Sequence, residues 1–523
     1  MELFFNGIVE STQTQATAFA IENGRFFAIG SDTEILHLKK AGIHTVNLEG
    51  KTVWPGLIDS HIHFQMYSES LAQVKCETPT IEECLNLINE KAKEIPSGDW
   101  ITGQGWNQNT WGCFGSSTQL DSVSGDHPVF LADKSIHAAW VNSLAFRIAH
   151  IDKNTPDPIG GTIQRDSEGN PTGILFENAV NLVERLIPPI SRSQRLSLML
   201  KGQQNLHRLG LTGIHDFDRS DCFFTLQQMQ QADQLTLRVT KGIPVGDLNS
   251  AISLGLRAGF GNCHLHLGPV KLFADGALGP QTAAMFAPYE RTDDHRGTLL
   301  LKADDVFETG MLATSNGWSL AIHAIGDKAV NEVLNGLAMI RQFEIANQLP
   351  GRYHRIEHLQ VIHPDDIQKV KDTGIVASMQ PTHVLSDMFT ADKYWGIRSR
   401  YAYAFASLSK KGVPLIFGSD APVESPNPFI GICAAVTRRR ENGEPGPGGW
   451  YPDERISIAQ ARRSFSEIPA RISGYGNTYG SIKNGNAADF IILPQNPEIV
   501  LAPELMSIQP VQVFVDGKSV FEF

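Results

Sequence analysis

The stretch Val53-Trp54-Pro55-Gly56-Leu57-Ile58-Asp59-Ser60-His61-Ile62-His63-Phe64 decides the fold. Pro55-Gly56 breaks the chain, Leu57 and Ile58 open a short apolar run, and two histidines follow, two residues apart. On a β-strand alternate side chains share a face, so both imidazoles point the same way. Two imidazoles aimed at one point from the end of a buried strand are half of a metal site. A pair of hydrogen-bonded core histidines gives the same pattern, so the rest of the chain has to choose.

Downstream, apolar runs ending in polar residues alternate with helical stretches, which implies a parallel sheet. Eight such runs are legible: Leu57–His63, Leu211–His215, Leu235–Ile243, Pro269–Asp275, Trp318–His323, His354–His358, Gly374–Gln380 and Pro414–Asp420. Eight strand–helix units make an α/β fold of the (β/α)8 TIM-like barrel type, spanning 56–478. The active site of such a barrel belongs at the C-terminal strand ends.

Both chain ends read differently. Leu3–Glu10 and Ala18–Ile29 are strand-like, with a hairpin turn at Asn23-Gly24. Ala488–Leu493 is a strand, and Val511–Val515, Asp516-Gly517 and Lys518–Phe523 form a hairpin. A few strands at either end cannot bury a core alone. Residues 1–55 and 479–523 are therefore expected to pair into one small composite β-sandwich.

The interval between His63 and Leu211 is far longer than one barrel helix needs. Residues 68–200 are expected to be an insertion at the catalytic rim, containing a strand at Pro128–Asp133 and a hairpin of Gly161–Arg165 with Thr172–Glu177. Loops on that face commonly set specificity, so the insertion reads as a lid or pocket wall, with peripheral decoration as the alternative.

Composition excludes several classes. The chain has 523 residues, 41% hydrophobic and 19% charged, with 44 basic against 56 acidic residues, a net charge of −12. The longest basic run is Arg438-Arg439-Arg440, so nucleic acid is not an expected partner. No apolar run approaches the ~20 residues that span a bilayer, and no signal peptide is visible, so no membrane is expected. Six scattered cysteines without a CxxC pair suit a reducing compartment, and the cytoplasm is expected. The expected partner is a small-molecule substrate, with a homo-oligomer left open.

Collecting the polar residues at the strand ends gives His61 and His63 from the first strand and Lys271 and Asp275 on the fourth. His323 ends the fifth, His358 the sixth and Asp420 the eighth. Four histidines and an aspartate fall where a barrel gathers side chains over its axis, a first shell for one or two divalent ions. Zinc is the first expectation, with manganese or iron as alternatives. A second HxH, Cys263-His264-Leu265-His266, precedes the fourth strand and so belongs to the opposite, stability face. His215 ends a strand and is open between a supporting and a core role.

Lys271 lies inside an apolar strand, where a bare ammonium is costly. It is either carboxylated, its carbamate bridging a metal pair, or paired with Asp275 or another nearby carboxylate. Glu177 is the rival bridging carboxylate, if the insertion reaches the metals. Trp106 and Trp395 are candidate apolar walls, with core tryptophan as the default.

These residues resemble the amidohydrolase superfamily, and within it the amidohydrolase-family-3 proteins, which include N-substituted formamide deformylase-like enzymes and exoenzyme regulators. The resemblance rests on Pro55–Phe64 together with Gly103–Asn107, Asn170–Glu177, Gly210–Asp216, Val270–Gly279, Ala321–Asp327, Arg355–His358, Met379–His383 and Gly418–Glu424. It implies metal ligands at His61, His63, His323, His358 and Asp420, with Lys271 where the superfamily's carboxylated lysine falls. One departure is Gln281, where many relatives carry arginine; if that arginine binds an acidic substrate group, its absence would shift specificity toward neutral substrates.

The expected reaction is hydrolysis of an amide C–N bond, in an N-substituted formamide or N-acyl amine, by metal-activated hydroxide. Asp420 would shuttle the proton and His383 would donate to the oxyanion. The alternatives are the same site acting on an ester, cyclic amide or aminated ring, and a non-catalytic regulatory protein on the same fold.

Overall fold

Eight parallel strands form one sheet in a computed structural model that describes residues 1–11, 16–133 and 138–523. They are β1 (Leu57–Ile62), β2 (Leu211–Asp216), β3 (Arg238–Pro244), β4 (Leu265–Phe273), β5 (Leu320–Ala324), β6 (Arg355–His358), β7 (Val376–Met379) and β8 (Leu415–Phe417). Sequential strands are neighbours throughout. The ring is closed by backbone bonds past the end of β8: Asp420 N donates to His61 O (2.7 Å) and His63 N to Ala421 O (2.9 Å). The fold is a (β/α)8 barrel, and these closing bonds hold Asp420 beside the two histidines of β1.

Close packing dictates two glycines in this frame. A Cβ on Gly56 would meet Thr212 Oγ1 at 2.3 Å, and one on Gly418 would meet His61 N at 2.4 Å. Neither position tolerates a side chain without moving β1 against its neighbour.

The largest departure from the expected barrel-strand boundaries is at the start of β4. β4 starts at Leu265, not Pro269, so His266 lies within the strand. Gly268-Pro269 reads as a breaker, but Lys241 pairs with Leu267 and Ile243 with Val270, so two residues of β4 oppose one of β3. This bulge accommodates a proline that has no N–H to give the ladder. The second HxH still lies at the N-terminal end of the strand: His266 Nε2 bonds Thr240 Oγ1 (3.0 Å) and His264 Nε2 bonds Asp516 Oδ2 (2.8 Å).

Strands from both chain ends build the β-sandwich. One sheet orders Arg25–Gly30, Ala18–Glu22, Glu2–Phe5 and His44–Asn47; the other orders Ile8–Val9, Thr52–Pro55, Phe490–Leu493, Gln512–Val515 and Lys518–Glu522. Its core is aromatic. Phe4 stacks on Phe19 (4.7 Å between centroids), Phe490 on Phe514 (4.3 Å), and Phe4 meets Phe490 edge-on (5.5 Å). Both hairpin turns place two residues at positive φ, Asn23-Gly24 and Asp516-Gly517, the geometry that matches strand twist.

The chain divides into two compact units, Met1–Tyr67 with Met199–Phe523, and Ser68–Leu198. The second carries its own six-stranded sheet, which includes Ile101–Trp106, Val129–Asp133 and the hairpin Gly161–Arg165/Pro171–Glu177. Among the described residues, no helix is long and apolar enough to cross a membrane.

Candidate metal centre

His61 lies near the end of β1 and His63 just past it, where strand alternation turns both rings to one side. Asp420 Oδ1 stands 3.4 Å from His61 Nε2 and 3.3 Å from His63 Nε2. The His358 ring lies 5.0 Å from that of His61 and 4.5 Å from that of His323. One ligand atom each from His61, His358 and Asp420 falls within 4.8 Å of the others. His358 and Asp420 both adopt left-handed backbone (φ 69 and 60), uncommon outside glycine, at the points where their strands give way to loops.

The electrostatics leave the cluster in a ligand-ready state. Burial, reinforced by Lys271, holds His61 and His323 down at about 4, and burial with the neighbouring His323 holds His358 well below its ordinary value. Burial opposes ionisation of Asp420, but His61 and His63 outweigh it and keep the carboxyl well below the usual range. His63 is the exception. Burial pulls it down, yet Asp218 and Asp420 push it up to about 10. An ion placed among these groups would replace that proton as the counter-charge.

The donors fit a divalent cation. Nitrogen and carboxylate oxygen ligands suit zinc, manganese or iron. His323 Nε2 bonds Gly276 O (2.9 Å), which leaves Nδ1 to coordinate. His358 Nδ1 is buried and has no hydrogen-bond partner, a cost that a bound ion would remove.

Lys271 is buried, with Nζ 5.0 Å from the ring centres of both Phe217 and Phe273. Burial lowers it to about 8, against the pull of Glu357 and Asp420. The expected alternative of a pair with Asp275 is not found. The Asp275 carboxylate instead accepts from the amides of Ala284 (2.9 Å), Ile325 (3.0 Å) and Gly326 (2.8 Å).

A cavity of about 550 Å³ opens over the cluster, walled by Phe273, Leu278, His383, Asp387 and Glu424. His383 sits in the first turn of the helix Pro381–Trp395, its ring stacked 6.2 Å from His358, with Nε2 buried and unpartnered. Trp395, at the other end of that helix, is a fully buried core residue. Gln281 sits in a left-handed turn (φ 56) beyond Ala277–Gly279, the part of this loop that lines the cavity. Trp106 is enclosed in the core of the Ser68–Leu198 unit, its Nε1 donating to Leu131 O (2.8 Å), so the core reading holds for it rather than the pocket wall. Glu177 is the exposed last residue of the strand Pro171–Glu177 of the same unit, at φ 50.

Several supporting residues escaped sequence reasoning. Glu357 Oε2 lies 2.6 Å from His61 Nδ1, and Asp218 Oδ1 lies 3.2 Å from His63 Nδ1. Arg355, buried beneath them, donates to both Glu357 oxygens, to Ser60 O (2.6 Å) and to His215 Nδ1 (2.9 Å). His215 is thus part of the barrel interior. The signals were the Arg355-Ile356-Glu357-His358 and Asp216-Phe217-Asp218 clusters at strand ends, where an acid adjoins a ligand or follows a strand.

A (β/α)8 barrel that gathers imidazoles and a carboxylate over its strand ends defines a class, the hydrolases that work through a divalent ion. A family model described as the amidohydrolase family matches residues 44–521, and the chain belongs to that family. Protein LONG AFTER FAR-RED 3 of Arabidopsis thaliana is 32% identical over 538 residues, covering 99% of this chain and 91% of that protein. N-substituted formamide deformylase of Arthrobacter pascens is 27% identical over 534 residues, covering 97% and 95%. The crystal structure of an uncharacterized metal-dependent hydrolase from Pyrococcus furiosus superposes with a TM-score of 0.75 at 26% identity, covering 95% of this chain and 99% of that one.

Proposed function

We propose that this hydrolase cleaves the C–N bond of a small amide, of the N-substituted formamide or N-acyl amine class. The observation that carries the reading is the convergence of His61 and His63 on Asp420, whose Oδ1 lies 3.4 and 3.3 Å from their Nε2 atoms. The name of the Arthrobacter pascens relative supports an amide, and a cavity of about 550 Å³ suits a small molecule. The six cysteines are scattered without a CxxC pair, which supports a reducing compartment and, we propose, the cytoplasm.

His61, His63, His323, His358 and Asp420 would hold the ion, with zinc proposed first. Bound there, a divalent ion supplies Lewis acidity and acidifies water to a pKa of about 7. The Asp420 carboxylate takes the proton of the attacking water and returns it to the departing amine, acting as base and then as acid. His383 Nε2 donates to the carbonyl oxygen as charge gathers on it. Phe273 and Leu278 keep bulk water from the reacting carbon. Lys271 is proposed as a carbamate, since its amine lies between aromatic faces and not against Asp275.

The test is a metal-loaded preparation assayed against N-substituted formamides, N-acyl amines, esters and cyclic amides. Amide turnover with stoichiometric metal is expected, and Asp420→Asn should lower kcat by about 10²–10⁴-fold with the fold intact. Turnover confined to esters or cyclic amides, or undiminished turnover in Asp420→Asn, would overturn it.

A further inference from the structure

His61 and His63 are each gripped from behind by a carboxylate. Nδ1 of His61 faces Glu357 at 2.6 Å and Nδ1 of His63 faces Asp218 at 3.2 Å, while both Nε2 atoms face Asp420. The two grips come from unrelated parts of the barrel, Glu357 within β6 and Asp218 just past β2. Each carboxylate is itself anchored. Glu357 accepts from Arg355 and from Ser378 Oγ (2.6 Å). Asp218 Oδ2 accepts from the amides of Gln65 (2.6 Å) and Met66 (3.2 Å). Behind it the buried Lys241 bonds Asp218 O and pairs with Asp216 at 2.8 Å.

We propose that Asp218 and Glu357 are positioning residues that present His61 and His63 to the metal through Nε2. The inference rests on the metal-dependent reading above. An imidazole that donates its Nδ1–H to a fixed carboxylate keeps its lone pair on Nε2 and cannot turn its ring. Both rings then turn Nε2 to the same carboxylate edge, and their orientations are set before an ion arrives. Without the grip, the ring must be frozen and its tautomer selected at the moment of binding. Removing a carboxylate that holds a ligating imidazole costs about 10–100-fold in metal affinity.

The experiment uses the full-length protein stripped of metal, with zinc alone as probe, titrated against a chromophoric chelator, and with the melting temperature of each metal-free variant measured alongside. Asp218→Asn should bind zinc about 10–100-fold more weakly than wild type, and Asp218→Ala more weakly still, because asparagine retains a neutral acceptor. The metal-free melting temperature of Asp218→Asn should match wild type. Glu357→Gln is expected to weaken zinc binding in the same range, but it sits on a buried arginine and can fail to fold, so Asp218 carries the test. Wild-type zinc affinity in Asp218→Asn would overturn the inference and leave the proposed function standing, as would weaker binding fully accounted for by a lowered metal-free melting temperature. A wild-type protein that binds no divalent ion would overturn the proposed function, and this inference with it.

Discussion

Asp59 Oδ2 accepts a 2.5 Å hydrogen bond from Ser419 Oγ, joining residues 360 positions apart across the seam where the barrel closes. Asp59 Oδ1 also accepts from the amides of His61 (3.0 Å) and Ser419 (3.1 Å). Burial pushes this carboxyl up to about 7 even with those donors in place. Ser419→Ala removes one donor from a buried acid and should destabilise by about 1–3 kcal/mol. The measurement is the urea midpoint, and an unchanged midpoint would show that the seam does not depend on this bond.

The same seam makes Gly418 intolerant. The added methyl of Gly418→Ala would sit 2.4 Å from His61 N, a backbone atom, and 2.8 Å from Asp59 Oδ1, which the amides of His61 and Ser419 hold in place. Overpacking of this kind costs about 1–3 kcal/mol. Because the displaced backbone carries His61, zinc binding should fall together with stability. Retention of both in a chelator titration would contradict the geometry.

Metal removal should be felt by the fold. His358 Nδ1 is buried without a partner, and Asp420 is ionised beside His61 and His63. An ion at a hundredfold excess over its Kd would add about 2.7 kcal/mol of stability. Dialysis against a chelator should lower the melting temperature, and added zinc should restore it. Identical melting curves with and without metal would count against the site.

Acid should act at the far end of the barrel. Burial tends to raise the Asp516 carboxyl, but His264 (2.8 Å) and Arg238 (2.7 Å) hold it well below the ordinary carboxylate range. A lowered folded-state value means that its stabilisation is present above the unfolded pKa of about 3.9 and is lost as pH falls through the folded one. Wild-type stability should therefore drop more steeply than that of Asp516→Asn below about pH 4. Parallel stability–pH curves would argue against this pair.

The features legible in the sequence were those that depend on neighbours in the chain. The apolar runs of β1 and β5 are strands because they are buried on both faces, and their terminal His61 and His323 follow from that pattern. The hairpin turns at Asn23-Gly24 and Asp516-Gly517 are local chemistry too. What could not be read depends on distant partners. Glu357 adjoins His358 but serves His61, 296 positions away, and Asp218 reaches His63 across 155. The start of β4 was misplaced because its bulge is set by the register of β3, not by Gly268-Pro269 alone. A tryptophan in a core and one lining a pocket look the same in sequence, so Trp106 reads as a candidate wall as well as a core residue, and its burial supports the core default.

The composite sandwich carries a consequence for synthesis. Phe4 and Phe19 emerge from the ribosome well before the rings that cover them, Phe490 and Phe514, which lie on the far side of the barrel in the chain. Until then the early sheet has an uncovered greasy face, while the barrel between can already be forming. The sandwich is thus begun before the barrel and completed after it, and a nascent chain stalled before Phe490 should be a preferred client for chaperones.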